Sequence, residues 1–145
     1  MKKTTWISAA LVLCALPGIS QARDTTHYLP FDEVVAEATA AGRLDGSVKF
    51  YLAKRPAGAQ IVRSGVTTSK KTNAFNKTDE AACSWALQSA LIGLEKSAKA
   101  AGANAVVDIV SNYKHVEYKD SSKYECHAGA VMAGVALKAN FAKVK

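Results

Sequence analysis

Apolar and polar positions repeat with different periods along this chain, and each period predicts an element. In LPFDEVVAEATAAGRL, Pro30 and Asp32 mark a start, Val34, Val35, Ala38 and Ala41 fall at helical spacing, and Gly42 stands where a C-terminal cap belongs. A short helix over Asp32 to Ala41 follows. From Val48 to Ala53 the period drops to two, with Val48, Phe50 and Leu52 on one side and Lys49 and Tyr51 on the other, as in a half-buried strand. Arg55-Pro56-Ala57-Gly58 is turn chemistry, and the β-branched run Ile61 to Thr68 reads as the return strand of a hairpin. Ser69 to Lys77 is a polar stretch with one aromatic, Phe75, and predicts a loop.

The longest periodic segment is TDEAACSWALQSALIGLEKSAKAAG. Thr78 is its N-cap, Asp79 and Glu80 occupy the first turn where the helix dipole favours anions, and Gly102 lies just past the end. Cys83, Leu87, Leu91, Leu94 and Ala98 form the apolar stripe, with Glu95 and Lys99 as an i,i+4 pair on the wet side. Gly93 weakens this helix slightly and allows a strand to approach; Trp85 reads as a core or edge anchor.

The last third predicts two apolar strands joined by a polar loop. Ala103 to Val110 is apolar on both faces apart from Asn104 and Asp108, as in an interior strand, and the alternating Ser111 to Tyr118 extends it out of the core. Lys119 to Lys123 is the turn. The second strand runs from Gly129 to Ala139, with Val131, Val135 and Leu137 on one face and Met132, Gly134 and Ala136 on the other, small enough for a helix to pack there. Val107, Ile109, Val131, Val135 and Leu137 are expected to form the sheet core. The fold class expected is α+β: a small, mostly antiparallel sheet packed on one long helix, with an additional short N-terminal helix.

The N-terminus changes the picture of where the protein works. Lys2 and Lys3, an apolar run from Trp6 to Leu16, Pro17 and Gly18, then Ser20-Gln21-Ala22, have the layout of a secretory signal peptide cleaved after Ala22. The run is about half of the ~20 residues needed to span a bilayer. Cys14 follows Leu13, where a lipid anchor needs a small residue, so a lipoprotein is not expected. The domain plan is then residues 1–22 as signal peptide, 23–30 as a flexible N-terminus, 31–141 as a single domain, and 142–145 as a tail. Losing Lys2 and Lys3 lowers the formal charge from +7 to +5. For an exported basic protein this points to an envelope protein or an anionic envelope component as partner, with Lys70 and Lys71 as the contact, and not to nucleic acid. The two cysteines that remain, Cys83 and Cys126, form an even count in an oxidising compartment and predict a disulfide.

Candidate chemistry is sparse. Cys126 and His127, with His115, offer sulfur and nitrogen ligands for zinc, but there is no C-x-x-C and no H-x-x-x-H spacing. Asp108, on an apolar strand, is the carboxylate to watch: a buried acid with a raised pKa can serve as a general acid, while a strand-edge carboxylate bonded to backbone or to Lys is the commoner case; Asp108 with His115 is the weakest alternative, a hydrolase. No G-x-S-x-G and no G-x-x-x-x-G-K-[ST] loop is present, so neither a catalytic residue nor a cofactor is expected.

Three stretches also resemble a known family. Ala82-Cys83 at the head of the long helix, GANAVV (Gly102–Val107) and AGVALKA (Ala133–Ala139) resemble the folded domain of RcsF, an outer-membrane lipoprotein that senses envelope stress. They are also similar to the YbjQ-type fold, described as a heavy-metal-binding domain. The phrase YECHAGAVMAGVALK (Tyr124–Lys138) resembles a group of small exported proteobacterial proteins labelled excinuclease ATPase subunit, although the nucleotide loop that label demands is missing. The resemblance covers roughly residues 48–140. It implies an α+β domain with the helix across a small sheet, a Cys83–Cys126 bridge, and a role in envelope stress. The lipidated cysteine, proline-rich linker and second disulfide of RcsF-like sensors have no counterpart here. The reading reached is a non-catalytic periplasmic binding or interaction module, with a metal-binding protein using Cys126, His127 and His115 as the alternative.

Overall fold

A computed structural model describes residues 23–145; the proposed signal peptide and Cys14 lie outside the described residues. The elements are β1 (Thr25–Pro30), α1 (Phe31–Ala40), β2 (Lys49–Leu52), β3 (Gln60–Asn73), α2 (Asp79–Ala100), β4 (Ala105–Ser111), a 3-10 turn at Tyr113–His115, β5 (Lys123–Ala128) and β6 (Met132–Lys143). Both expected helices form. Thr78 caps α2, its hydroxyl oxygen accepting the Ala81 N–H at 3.1 Å, and Gly102 follows the helix at φ 76°, the left-handed region open to glycine. Cys83, Leu87, Leu91, Leu94 and Ala98 are all buried, as their spacing requires.

The fold class is α+β, with a six-stranded sheet built around β6. β3 pairs with β6 along its whole length, from Gln60↔Lys143 to Asn73↔Met132. That pairing occupies one edge of β6. The other edge is therefore shared, β4 taking Leu137 to Ala142 and β5 taking Ala133 and Gly134. β1 extends the β5 side and β2 the β4 side.

Several expectations are corrected here. The sheet is mixed, not mostly antiparallel, because β2 lies parallel to β4. Residues Ile61 to Thr68 do not return beside β2 as a hairpin; they belong to a longer strand that runs on to Asn73 and pairs with β6, so the expected loop from Ser69 is sheet through Asn73. The polar composition misled because β3 is an edge strand, where polar residues on both faces are tolerated. Residues 25–30, expected to be flexible, are strand β1, held on β5 in an unbroken register from Thr25↔Ala128 to Pro30↔Lys123. The polar stretch after Ser111 does not prolong β4; it turns through Tyr113–His115 and returns so that Ser111 and Tyr118 exchange backbone hydrogen bonds at 3.0 and 2.9 Å. The last third thus holds three strands, with Lys123–Ala128 forming a strand of its own.

The main core lies between the helices and one face of the sheet. Val135, Leu137, Ala139 and Phe141 of β6 meet Leu87, Leu91 and Leu94 of α2 in it, with Phe31, Ile109 and Tyr124. Two of the expected core residues sit elsewhere. Val107 belongs to a small second cluster with Ala105 and Ala142, and Val131 is 60 % exposed in the turn before β6. Glu95, expected on the wet side of α2, is buried; its Oε1 accepts the Asp45 N–H at 3.3 Å and lies 3.8 Å from Lys99 Nζ. Trp85 is an exposed anchor, with the Arg43 guanidinium 4.3 Å from its ring centre.

Candidate functional site

The side of the sheet away from α2 holds the candidate site, and the strand register explains it. On β6, Ala133, Val135 and Leu137 point into the core, so Gly134, Ala136 and Lys138 face the open side. The small residues expected to receive a helix therefore face away from it. Lys71 of β3 and His127 of β5 are the register partners of Gly134, and Thr26 of β1 is the partner of His127. These four residues form one row across four strands. Because Gly134 has no side chain, the row carries a notch between Lys71 and His127.

Around that notch lies a cleft of about 360 Å³, lined by Arg23, Asp24, Lys71, Tyr113, His127 and residues 129–134. This is within the ~300–1,000 Å³ range of small-ligand sites. The wall opposite Lys71 is a ring pair. Tyr113 and His127 stack with centroids 3.4 Å apart and planes 13° from parallel. Lys114 and His115, at φ 52° and 62°, turn the chain sharply just after Tyr113, and the Ser111–Tyr118 bridge closes that loop. Left-handed backbone costs roughly 1–3 kcal/mol per residue and persists where surrounding structure holds it. His127 is held from its edges as well: Nδ1 lies 3.1 Å from Asp24 Oδ1 and 3.4 Å from Thr26 Oγ1. Nε2 lies 3.3 Å from Glu125 Oε1 but out of line for a hydrogen bond, and it is buried with no other partner among the described residues.

Two glycines mark the cleft as a place where space matters. Gly42, Gly46, Gly58 and Gly102, outside the strands, and Gly65, where β3 shifts register, all have positive φ and open surroundings. Gly129 and Gly134 have no positive φ, and both are crowded. A Cβ on Gly129 would lie 2.9 Å from the Arg23 carbonyl oxygen, and one on Gly134 would lie 3.3 Å from Lys71 Cγ. Gly129 lets the N-terminal segment close over the end of the sheet, and Gly134 lets the Lys71 stem lie along the floor.

Arg23 fastens that segment. Its Nη1 and Nη2 donate to Asp79 Oδ2 and Oδ1 at 2.8 and 3.0 Å, and Nη2 also donates to the Gly129 carbonyl at 2.9 Å. His27 Nε2 lies 2.8 Å from Asp79 Oδ2. The Arg23 bonds, with His27, hold the Asp79 carboxyl down at about 2. The first turn of α2 is thus tied to β1 by an ion pair and, one turn later, to β5 by the Cys83–Cys126 disulfide, whose Cα atoms are 5.9 Å apart.

The residues singled out in the sequence are dispersed. Cys126 is buried on the helix side of β5 and disulfide-bonded, whereas His127, the next residue, faces the open side. They cannot share a metal ion, and His115 lies exposed on the Tyr113 loop. Among the described residues no three His, Cys, Asp or Glu side chains are placed to hold a metal. Lys70 and Lys71 also separate. Lys70 pairs with Val135 on the helix side, its Cε 3.8 Å from where a Gly93 Cβ would stand, while Lys71 faces the cleft.

Asp108 is no raised-pKa acid. It sits at φ 54° where β4 shifts register, a conformation asparagine and aspartate tolerate well. Arg55 Nε donates to its Oδ2 at 2.8 Å, Arg55 Nη2 adds a second bond, and Asn140 Nδ2 donates at 3.0 Å. Burial pushes the carboxyl up, but the bonds from Arg55 and Asn140 outweigh it and leave the pKa below the ordinary range. It is a structural ion pair.

No family model matches the chain, and no curated protein or solved structure matches it. The disulfide fits an oxidising compartment, and among the described residues no helix is long and apolar enough to cross a membrane. Sequence reading missed Tyr113 and Gly134 as site residues. The available signal was Gly134 itself: an isolated glycine inside a strand pattern marks a close approach, and the strand's alternation left the approaching side undecided.

Proposed function

We propose that this is a non-catalytic binding module of the periplasm, exported by the N-terminal signal, and that the cleft between Lys71 and the Tyr113–His127 pair holds its ligand. The observation that carries the reading is the notch at Gly134, which lies in a cleft beside pre-positioned rings and a cation. His127 has Nδ1 on Asp24 and Nε2 buried beside Glu125, and Asp108 in the neighbouring bulge is engaged with Arg55, so neither side chain offers the cleft a free acid or base, which supports binding over acid–base chemistry. The envelope-stress role implied by the RcsF-like resemblance is the physiological setting we assign to it.

The test is an amide-shift titration of the mature protein with fractionated envelope extract, followed by the same titration of Gly134→Val, which fills the notch. The expected result is a fraction that shifts the amides of Tyr113, His127 and Gly129–Met132 in the native protein and leaves Gly134→Val unchanged. Shifts confined to other surfaces, or identical shifts in both proteins, overturn the assignment of the cleft.

A further inference from the structure

β3 is bonded to β6 on one edge, and among the described residues no strand is bonded to its other edge. At 14 residues it is far longer than the ~5–6 typical of strands. A free edge presents a row of N–H and C=O groups that can pair with another extended chain. The two halves of β3 differ in how well they offer it. Between Ile61 and Val66 the register with β6 shifts twice and Gly65 takes φ 67°, so this half is bent. From Val66↔Ala139 to Asn73↔Met132 the register is continuous. The regular half is the one that can accept a further strand.

Its charge selects the partner. β3 contains Arg63, Lys70 and Lys71 and no acidic residue. Neither lysine is in an ion pair among the described residues. A second copy laid antiparallel on this half would bring the lysines of both chains side by side, and like charges across a strand pair are destabilising. Lys70 faces the helix side of the sheet and Lys71 the open side, and successive residues of an added strand alternate in the same way. Two adjacent carboxylates on the incoming strand would therefore meet one ammonium group on each face.

We propose that the Val66–Asn73 edge of β3 docks an extended segment of another protein that carries consecutive acidic residues. Backbone hydrogen bonds hold the segment, and the lysine pair chooses it. The surface is separate from the open-face cleft in its bonding groups, although Lys71 borders both.

The experiment is an NMR titration of the mature protein at low salt with a synthetic octapeptide of alternating threonine and valine bearing two central glutamates, and with the same peptide bearing two central lysines. The glutamate peptide is expected to protect alternate amides within residues 66–73 from hydrogen exchange. Its binding should weaken by about tenfold or more in the Lys70→Glu, Lys71→Glu double variant. The lysine peptide should not bind. The proposal is overturned if the glutamate peptide fails to bind or binds no better than the lysine peptide. Protection at residues 129–134 instead of β3, or a peptide-free dimer that protects β3, overturns it equally. Tyr113→Ala removes the cleft wall opposite Lys71 and touches neither lysine of this edge, so it should bind the peptide as the native protein does, and the cleft assignment and the edge assignment fail independently.

Discussion

Cys126 and His127 are consecutive on β5 and face opposite sides of the sheet, the first bonded to Cys83 in the core and the second stacked on Tyr113 over the open face. Their adjacency in sequence is therefore no guide to a shared role. Replacing His127 by alanine should cost about 1 kcal/mol through the lost ring contact and the Asp24 bond. It should also speed amide exchange at Tyr113–Val116. Added zinc should leave Tm unchanged in both proteins; a zinc-dependent rise that His127→Ala removes would contradict this placement.

Removing the cross-link should be far more costly. Residues 83 and 126 are 43 apart, for which the chain-entropy relation gives roughly 4 kcal/mol, within the ~2–5 kcal/mol seen when native disulfides are removed. Urea unfolding of the Cys83→Ala, Cys126→Ala double variant measures it. A loss under about 1 kcal/mol would mean that packing of α2 on β6 alone fixes the helix.

Asp79 ties stability to acid. Its folded pKa of about 2 lies below the ~3.9 of an unfolded chain, so its contribution is complete above about pH 4 and is lost as pH falls through about 2. Asp79→Asn lacks that contribution at every pH. Urea midpoints taken from pH 5 down to pH 2 should fall more steeply for the native protein than for the variant, and coincident slopes would show that Arg23 and His27 do not hold this carboxylate.

At Asp108 the backbone and the ion pair can be separated by substitution. Asp108→Asn keeps a residue at home at φ 54° and loses the charge facing Arg55, at a cost of about 1 kcal/mol or less. Asp108→Val adds a β-branched residue in a left-handed conformation and should cost about 2–4 kcal/mol. Equal losses in a denaturant series would assign the whole effect to the ion pair.

How far the sequence revealed this molecule depends on which interactions decide each element. α2 was legible from end to end because its cap, its stripe and its terminal glycine are local signals that agree. The disulfide was legible because the cysteine count left one pairing. β3 was not, since an exposed edge strand lacks the alternation that burial imposes, and its partner β6 lies some 70 residues away. β1 was hidden for the same reason: TTHYLP has little apolar content, and its order comes from β5 and the Arg23–Asp79 bonds. The cleft could be reached only by combining the register of three strands, because nothing local announces that Lys71, Gly134 and His127 stand in one row.

The shared edge of β6 has a consequence for assembly. Among the described residues β4 and β5 join the sheet's centre through Met132–Lys143, and β3 pairs with no other strand. Before that segment is available, β1 with β5 and β2 with β4 are isolated two-stranded pairs, which are marginal in water. The sheet can close only when its last strand arrives, long after β3 has been made, so the pairings that define this fold are high in contact order and late in time. A chain built this way cannot complete its sheet until Met132–Lys143 has been made, whatever its helices do before then.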